Sequence, residues 1–196
     1  QFFKRHKLNQ KETLIALLPG SRQQEIDRHW GIYTETVSLL KKSHPNLQVV
    51  VGKSDNVTFP ITDDSFKIEK NAKKAIIASD IAIVASGTAT LECAIEGTPL
   101  VVCYKVSPVT WLLAKLMVKV KYSSIVNLIA EKKIVPEFLQ SKMKPNNIKN
   151  KLIELINEKS KLRNQMLKDF LELKNKLGTP GVYVKIADEI LKATKQ

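Results

Sequence analysis

Cysteine and histidine are scarce in this chain: two of the one and three of the other among 196 residues. Cys93 and Cys103 stand at a spacing that fits neither a metal site nor a disulfide framework, and a reducing cytoplasm is the expected setting. His6, His29 and His44 have no carboxylate or cysteine at ligand or triad spacing, so surface or loop positions are expected, and neither a metal nor a cofactor. Apolar runs all fall short of the roughly 20 residues that cross a membrane. The chain opens at Gln1 with no signal-peptide pattern, and it is expected to be part of a longer protein. Low-complexity linkers and internal repeats are absent. Gly52-Lys53-Ser54 resembles the end of a phosphate-loop signature but has Leu47 where that signature needs its first glycine, which excludes an ATPase of that kind. Asn56-Val57-Thr58 is a formal glycosylation acceptor in what reads as an ordinary loop.

Acidic residues are also in short supply. Nineteen Asp and Glu face 32 Lys and Arg, a net charge of +13, which favours a polyanionic neighbour such as nucleic acid or anionic lipid. Much of the excess falls at 142–176, on segments that read as solvated helices. With 6% aromatic residues and no nucleic-acid motif or base-stacking set, a nucleic-acid partner is not expected.

What the chain does have is a hydrophobic fraction of 43%, enough for one well-buried domain. Apolar runs at 13–18, 47–51, 81–85 and 100–104, with a weaker one at 65–68, read as strands. Helical patterns separate them: Ile26, Trp30, Tyr33 and Val37 recur at helical spacing after a turn in which Ser21 and Gln24 suit a capping box, and 72–78 forms a short helix. Near-continuous apolar strands alternating with helices predict an α/β fold with a parallel sheet covered on both faces, whose ligands bind at the carboxyl ends of the strands. The expected organisation is a Rossmann-like domain at 1–145 and a helical C-terminal tail at 146–196, with helices at 148–157, 159–176 and 182–192.

Two turns at strand ends carry the chemistry. Ser86-Gly87-Thr88-Ala89-Thr90-Leu91-Glu92 follows Ile81-Ala82-Ile83-Val84-Ala85 as strand, tight turn and helix. The unpaired N–H groups and partial positive charge of a helix start suit a phosphate there, and Glu92, one turn on, is placed to accept hydrogen bonds from a ribose. Leu18-Pro19-Gly20-Ser21-Arg22 is the second, pairing exposed N–H groups with the planar donor fork of Arg22 for a diphosphate. If both turns face one crevice, they can hold a nucleotide-sugar between them. Val109-Thr110-Trp111-Leu112-Leu113-Ala114-Lys115-Leu116-Met117-Val118-Lys119 is apolar with interspersed lysines. It suits a membrane interface, with Trp111 at headgroup depth and Lys115 and Lys119 near anionic lipid, or a buried or dimer helix. Asn127 lies among apolar residues and needs a backbone or ligand partner. Asp80, Glu131 and Glu137 lie near the motifs without forming a recognisable general base.

Taken together, Leu17-Leu18-Pro19-Gly20-Ser21-Arg22 with Glu25, Ala78-Ser79-Asp80, Ala85 through Glu92, Thr98-Pro99-Leu100-Val101-Val102 with Tyr104-Lys105, Asn127-Leu128-Ile129-Ala130 and Val135-Pro136-Glu137-Phe138-Leu139-Gln140 resemble the lipid-A-disaccharide synthases. The resemblance covers most of the chain. It implies the carboxyl-terminal, donor-binding half of a GT-B glycosyltransferase that moves a 2,3-diacylglucosamine unit from UDP to 2,3-diacylglucosamine 1-phosphate, giving the lipid A disaccharide and UDP, with no required metal. By the same resemblance, Ser21, Arg22, Ser86, Gly87, Thr88, Ala89, Thr90, Glu92 and Asn127 contact the UDP-sugar, Arg22 and Asn127 act in catalysis, and the base lies in the amino-terminal half. It also implies work at the cytoplasmic face of the inner membrane, contact there through Trp111, Lys115 and Lys119, and a homodimer with exchanged carboxyl-terminal segments. Two departures from the family pattern stand out: Ile125-Val126-Asn127 lacks the proline usual before the asparagine, and Cys103 replaces a glycine, which is expected to crowd a ligand at that strand end. Another UDP-sugar enzyme of the same architecture, a 2-epimerase or a peptidoglycan transferase, is the nearest alternative, and a basic nucleic-acid-binding module the more distant one.

Overall fold

A computed structural model describes residues 1–60, 63–111 and 121–178. After a short helix α1 (Phe2–His6), the chain alternates β1 (Leu14–Leu18), α2 (Gln23–Lys41), β2 (Gln48–Gly52), β3 (Phe66–Glu69), α3 (Ala72–Ala78), β4 (Ile81–Val84), α4 (Thr88–Glu96) and β5 (Leu100–Tyr104). It continues through α5 (Ile125–Ala130), β6 (Glu137–Leu139), a 3-10 turn at Gln140–Lys142, α6 (Pro145–Ile156) and α7 (Lys161–Leu177).

The strands form a parallel sheet in the order β3-β2-β1-β4-β5-β6. Every residue of β1 and of β4 is buried. Successive strand side chains point to opposite faces, so continuous burial means that both faces are covered. Ala16 lies level with Val50 on one side and Ala82 on the other, which puts the ends of β1, β2 and β4 at one height. The chain runs outward from β1 to β3 and then returns to β4 on the other side of β1. The crevice between the carboxyl ends of β1 and β4 is therefore the switch point of this doubly wound sheet.

The helices bury their apolar stripes on this frame. α2 contributes Ile26, Trp30, Tyr33, Val37 and Leu40, and the Trp30 ring packs 5.1 Å from Phe59 and 5.7 Å from Phe66. Its helix begins one residue later than the Ser21 expectation: Arg22 is the N-cap and Glu25 the first-turn acid. Of the expected C-terminal tail, α6 packs Ile148, Leu152 and Leu155 inward and lies against α2, β4 and β5, while α7 buries Met166, Phe170 and Leu173 and lies against α4, α5 and α6. These two helices cover the sheet domain itself. The third predicted helix lies outside the described residues, as do Lys115 and Lys119.

Two of the three histidines correct the expectation of surface positions. His29 is fully buried. His6 bonds Glu69 at 3.0 Å, and Arg5 pairs with the same carboxylate, pinning α1 to the sheet edge. Burial pushes the Glu69 carboxyl up, but the Asn71 N–H, His6 and Arg5 outweigh it and hold the group below its ordinary value. Cys93 and Cys103 are free thiols buried in the core, and burial pushes both well up, which makes them unreactive. Cys103 faces the core with no exposed surface, so it does not crowd the strand end.

Candidate nucleotide cleft

The two motif turns meet. A cleft of about 350 Å³ opens at the switch point, with Gly20, Ser21, Arg22 and Glu25 on one wall and Ser86, Gly87, Thr88, Ala89 and Glu92 on the other. Leu18 and Ala85 form its floor, and Gly52, Ser54 and Ala72 close the side toward β2.

The turn after β4 is built to leave donors free. Gly87 is the N-cap of α4 with φ 145°, a conformation that L side chains rarely adopt, and a Cβ there would meet no atom within 4 Å. The missing side chain lets a ligand approach the backbone. The Thr90 N–H donates to the Gly87 carbonyl at 3.2 Å and the Thr90 hydroxyl to the same oxygen at 2.7 Å. Thr90 is fully buried and does not line the cleft; its hydroxyl closes the turn. The N–H groups of Thr88 and Ala89 donate to no protein acceptor among the described residues. They are the open donors of this helix start. The Ser86 hydroxyl is already committed, donating to the Ser123 carbonyl at 2.8 Å.

The turn after β1 is arranged differently. Glu25 folds back so that its Oε2 accepts the N–H groups of Ser21 (2.9 Å) and Arg22 (3.2 Å), while Oε1 receives the Tyr104 hydroxyl (3.3 Å) and lies 3.5 Å from the Arg22 guanidinium. An internal carboxylate thus fills the helix start that the sequence reading offered to a phosphate. Ser21 and Arg22 keep their places on the cleft wall, but Arg22 contributes through a side chain that is 79% exposed rather than through its N–H. Gly20, at φ 131°, lies against the Glu25 side chain. Behind the turn, His29 Nδ1 bonds the Pro19 carbonyl at 2.7 Å and His29 Nε2 accepts the Lys105 N–H at 3.0 Å. The Pro19 carbonyl places a proton on Nδ1, and Nε2 also lies 3.3 Å from the Lys105 carbonyl. Burial lowers the His29 pKa against the opposing pull of its backbone bonds, so the ring is neutral and staples the β1 turn to the end of β5.

Asn127 lies outside the cleft. It is fully buried. Its Nδ2 donates to the Val135 carbonyl (3.0 Å) and Glu137 Oε1 (2.9 Å), and its Oδ1 accepts the N–H groups of Ile134 (2.8 Å) and Val135 (2.9 Å). Two donors and two lone pairs are all an amide side chain has. Asn127 was expected to touch sugar or diphosphate; in this structure its four side-chain bonds all go to protein. Trp111, on the helical turn that starts at Pro108, is partly buried, and Val109 beside it is 69% exposed. No described helix is long and apolar enough to cross a membrane, and no described cluster of His, Cys, Asp and Glu is placed to hold a metal.

Glu25, Tyr104, His29 and Glu137 were not expected at or behind the site. An acid three residues after an N-cap is a local signal that identifies Glu25 once the cap is moved to Arg22. Glu137 has no such signal, because its partners lie 10 to 14 residues earlier in the chain.

Residues 1–179 match the family described as lipid-A-disaccharide synthetase. The chain is 35% identical to the lipid-A-disaccharide synthase of Myxococcus xanthus over 198 residues, covering 97% of this chain and 51% of that protein. It is 35% identical to that of Rickettsia prowazekii over 170 residues, covering 83% and 45%. The chain spans about half the length of the curated relatives it matches. Among solved structures, an S. aureus MnaA–UDP co-structure superposes with a TM-score of 0.63 at 14% identity over 100% of this chain and 48% of that one. A glycotransferase of kitacinnamycin gives 0.60 at 15% identity over 92% and 43%. These distant likenesses establish the fold, an α/β Rossmann-like half of the GT-B architecture. The family match goes further: the chain belongs to the lipid-A-disaccharide synthetase family.

Proposed function

We propose that this chain is the donor-binding half of a glycosyltransferase that moves a 2,3-diacylglucosamine unit from UDP to 2,3-diacylglucosamine 1-phosphate. The observation that carries the reading is the cleft at the switch point, where the open N–H groups of Thr88 and Ala89 face Arg22 with Glu92 alongside. Glycosyl transfer leaves negative charge growing on the departing UDP, and fixed donors aimed at that charge lower the barrier. The start of α4 supplies such donors. Arg22, whose guanidinium is held among the described residues by a 3.5 Å ion pair with Glu25, has the reach and the planar fork to join them on the diphosphate. Glu92, inside the cleft one turn along α4, takes the ribose hydroxyls. The acceptor and the base that activates its hydroxyl belong to the remainder of the protein.

The acylated substrates favour peripheral association with the cytoplasmic face of the inner membrane, with Trp111, Lys115 and Lys119 at the lipid surface, and the family reading carries a homodimer with exchanged carboxyl-terminal segments. In the complete enzyme, Arg22→Ala and Glu92→Ala are each expected to lower disaccharide formation by at least tenfold, the value of one charge-assisted contact. Activity near wild type in both would overturn the assignment. Product made by this chain alone would overturn the division of labour between the halves.

A further inference from the structure

Glu137, at the start of β6 and outside the cleft, is the acceptor for an unusual number of donors. Its carboxylate takes the Ser123 N–H (3.1 and 3.2 Å to the two oxygens), the Ser124 N–H (2.9 Å), the Ser124 hydroxyl (2.7 Å) and Asn127 Nδ2 (2.9 Å). Asn127 is in turn locked by Ile134 and Val135. The loop that Glu137 gathers is the one whose Ser123 carbonyl receives the Ser86 hydroxyl. Ser86 precedes Gly87, the N-cap of the helix that presents the open donors. A continuous chain of hydrogen bonds therefore runs from Asn127 through Glu137, Ser124 and Ser123 to the anion-binding turn. By contrast, the opposite wall is held separately, by Glu25, Tyr104 and His29.

We infer that Glu137 is a positioning residue for the anion-binding turn at 86–89, acting through Ser123 and Ser86, with Asn127 fixing the Glu137 carboxylate. It touches no ligand. Its negative charge is what lets one side chain hold four donor groups at once, and a neutral acceptor holds the same loop more loosely. The assignment rests on the nucleotide reading of the cleft only for its effect on UDP; the mechanical link is independent of that reading.

The test uses this chain without ligand and with UDP. Amide hydrogen exchange in the unliganded protein is expected to speed up at 123–124, and at Ala85 and Thr90, the bonded amides that flank the turn, in Glu137→Gln, and to stay unchanged at 21–22 on the opposite wall. Ser86→Ala is expected to speed exchange at Ala85 and Thr90, and adding Glu137→Gln to it is expected to change those two amides no further, since the link is already cut. UDP affinity should fall roughly tenfold in Glu137→Gln, as for loss of one charge-assisted hydrogen bond, and less than twofold when Ser86→Ala is already present. Unchanged exchange at Ala85 and Thr90 in Glu137→Gln would overturn the link, as would equal effects of Glu137→Gln with and without the Ser86 hydroxyl. If the wild type takes up no UDP while the exchange pattern holds, the nucleotide reading fails and the link stands.

Discussion

Replacing Gly20 by alanine tests whether the β1 turn is built around an internal carboxylate. Gly20 has φ 131°, and a Cβ added there would lie 2.6 Å from the Glu25 Cβ and in contact with the carboxylate beyond it. The backbone conformation alone costs about 1–3 kcal/mol for an L side chain. The overlap adds about 1–3 kcal/mol, because a Cβ cannot rotate out of the way and the first turn of α2 must shift. Together these amount to roughly 2–6 kcal/mol, or a drop of about 5–20 °C in melting temperature for a domain of this size. Thermal melts followed by circular dichroism measure it. Gly87→Ala is the internal control: it shares the left-handed backbone, with φ 145°, but has open space around the added atom, so it carries only the conformational cost. A Gly20→Ala chain that melts within about 2 °C of wild type would refute the packing argument, and equal losses in the two variants would show that backbone strain alone accounts for the effect.

Other outcomes follow from the same geometry. Asn127→Ala strands the N–H groups of Ile134 and Val135 and the Val135 carbonyl in the interior, and at about 1–3 kcal/mol for each unsatisfied group it should lower the urea midpoint severely; a mild effect would mean that the loop finds other partners. His29 has its pKa lowered by burial, so its contribution to stability is whole above the unfolded value of about 6.5 and is lost as pH falls from there toward the native value. Urea melts between pH 7.5 and 5 should show wild type losing stability and His29→Gln losing less; parallel curves would contradict the neutral, stapling role. Glu92→Ala should weaken UDP about tenfold and leave inorganic pyrophosphate unaffected, because it is assigned to the ribose; equal losses for both ligands in competition titrations would move Glu92 to the diphosphate.

Much of the frame was legible because parallel strands buried on both faces are written as unbroken apolar runs. The segment at 72–78 and the run at 100–104 coincide with α3 and β5. Small elements were missed for physical reasons. β6 has three residues, none fully buried, and owes its strand form to pairing with β5 rather than to its own pattern. α5 has six residues, too few for helical periodicity to register. The sequence placed both turns at strand ends, and the topology brings them to one cleft. It did not reveal which helix start is open. Ser21 and Arg22 carry the same residue types whether their N–H groups face a ligand or Glu25, and only the fold of the Glu25 side chain decides. Asn127 illustrates the same limit. A buried amide needs partners, but sequence does not say whether those partners are ligand or backbone, and here the chain bends back at Ile134 and Val135 to supply them.

The central claim is that the open start of α4 and the Arg22 side chain form one anion site for a nucleoside diphosphate. Calorimetric titration of UDP into this chain, with Arg22→Ala alongside, tests it most directly. The account predicts saturable binding at one site per chain, weakened about tenfold by the loss of Arg22. Binding of equal strength in the folded Arg22→Ala chain, or no binding by the folded wild type, would contradict it.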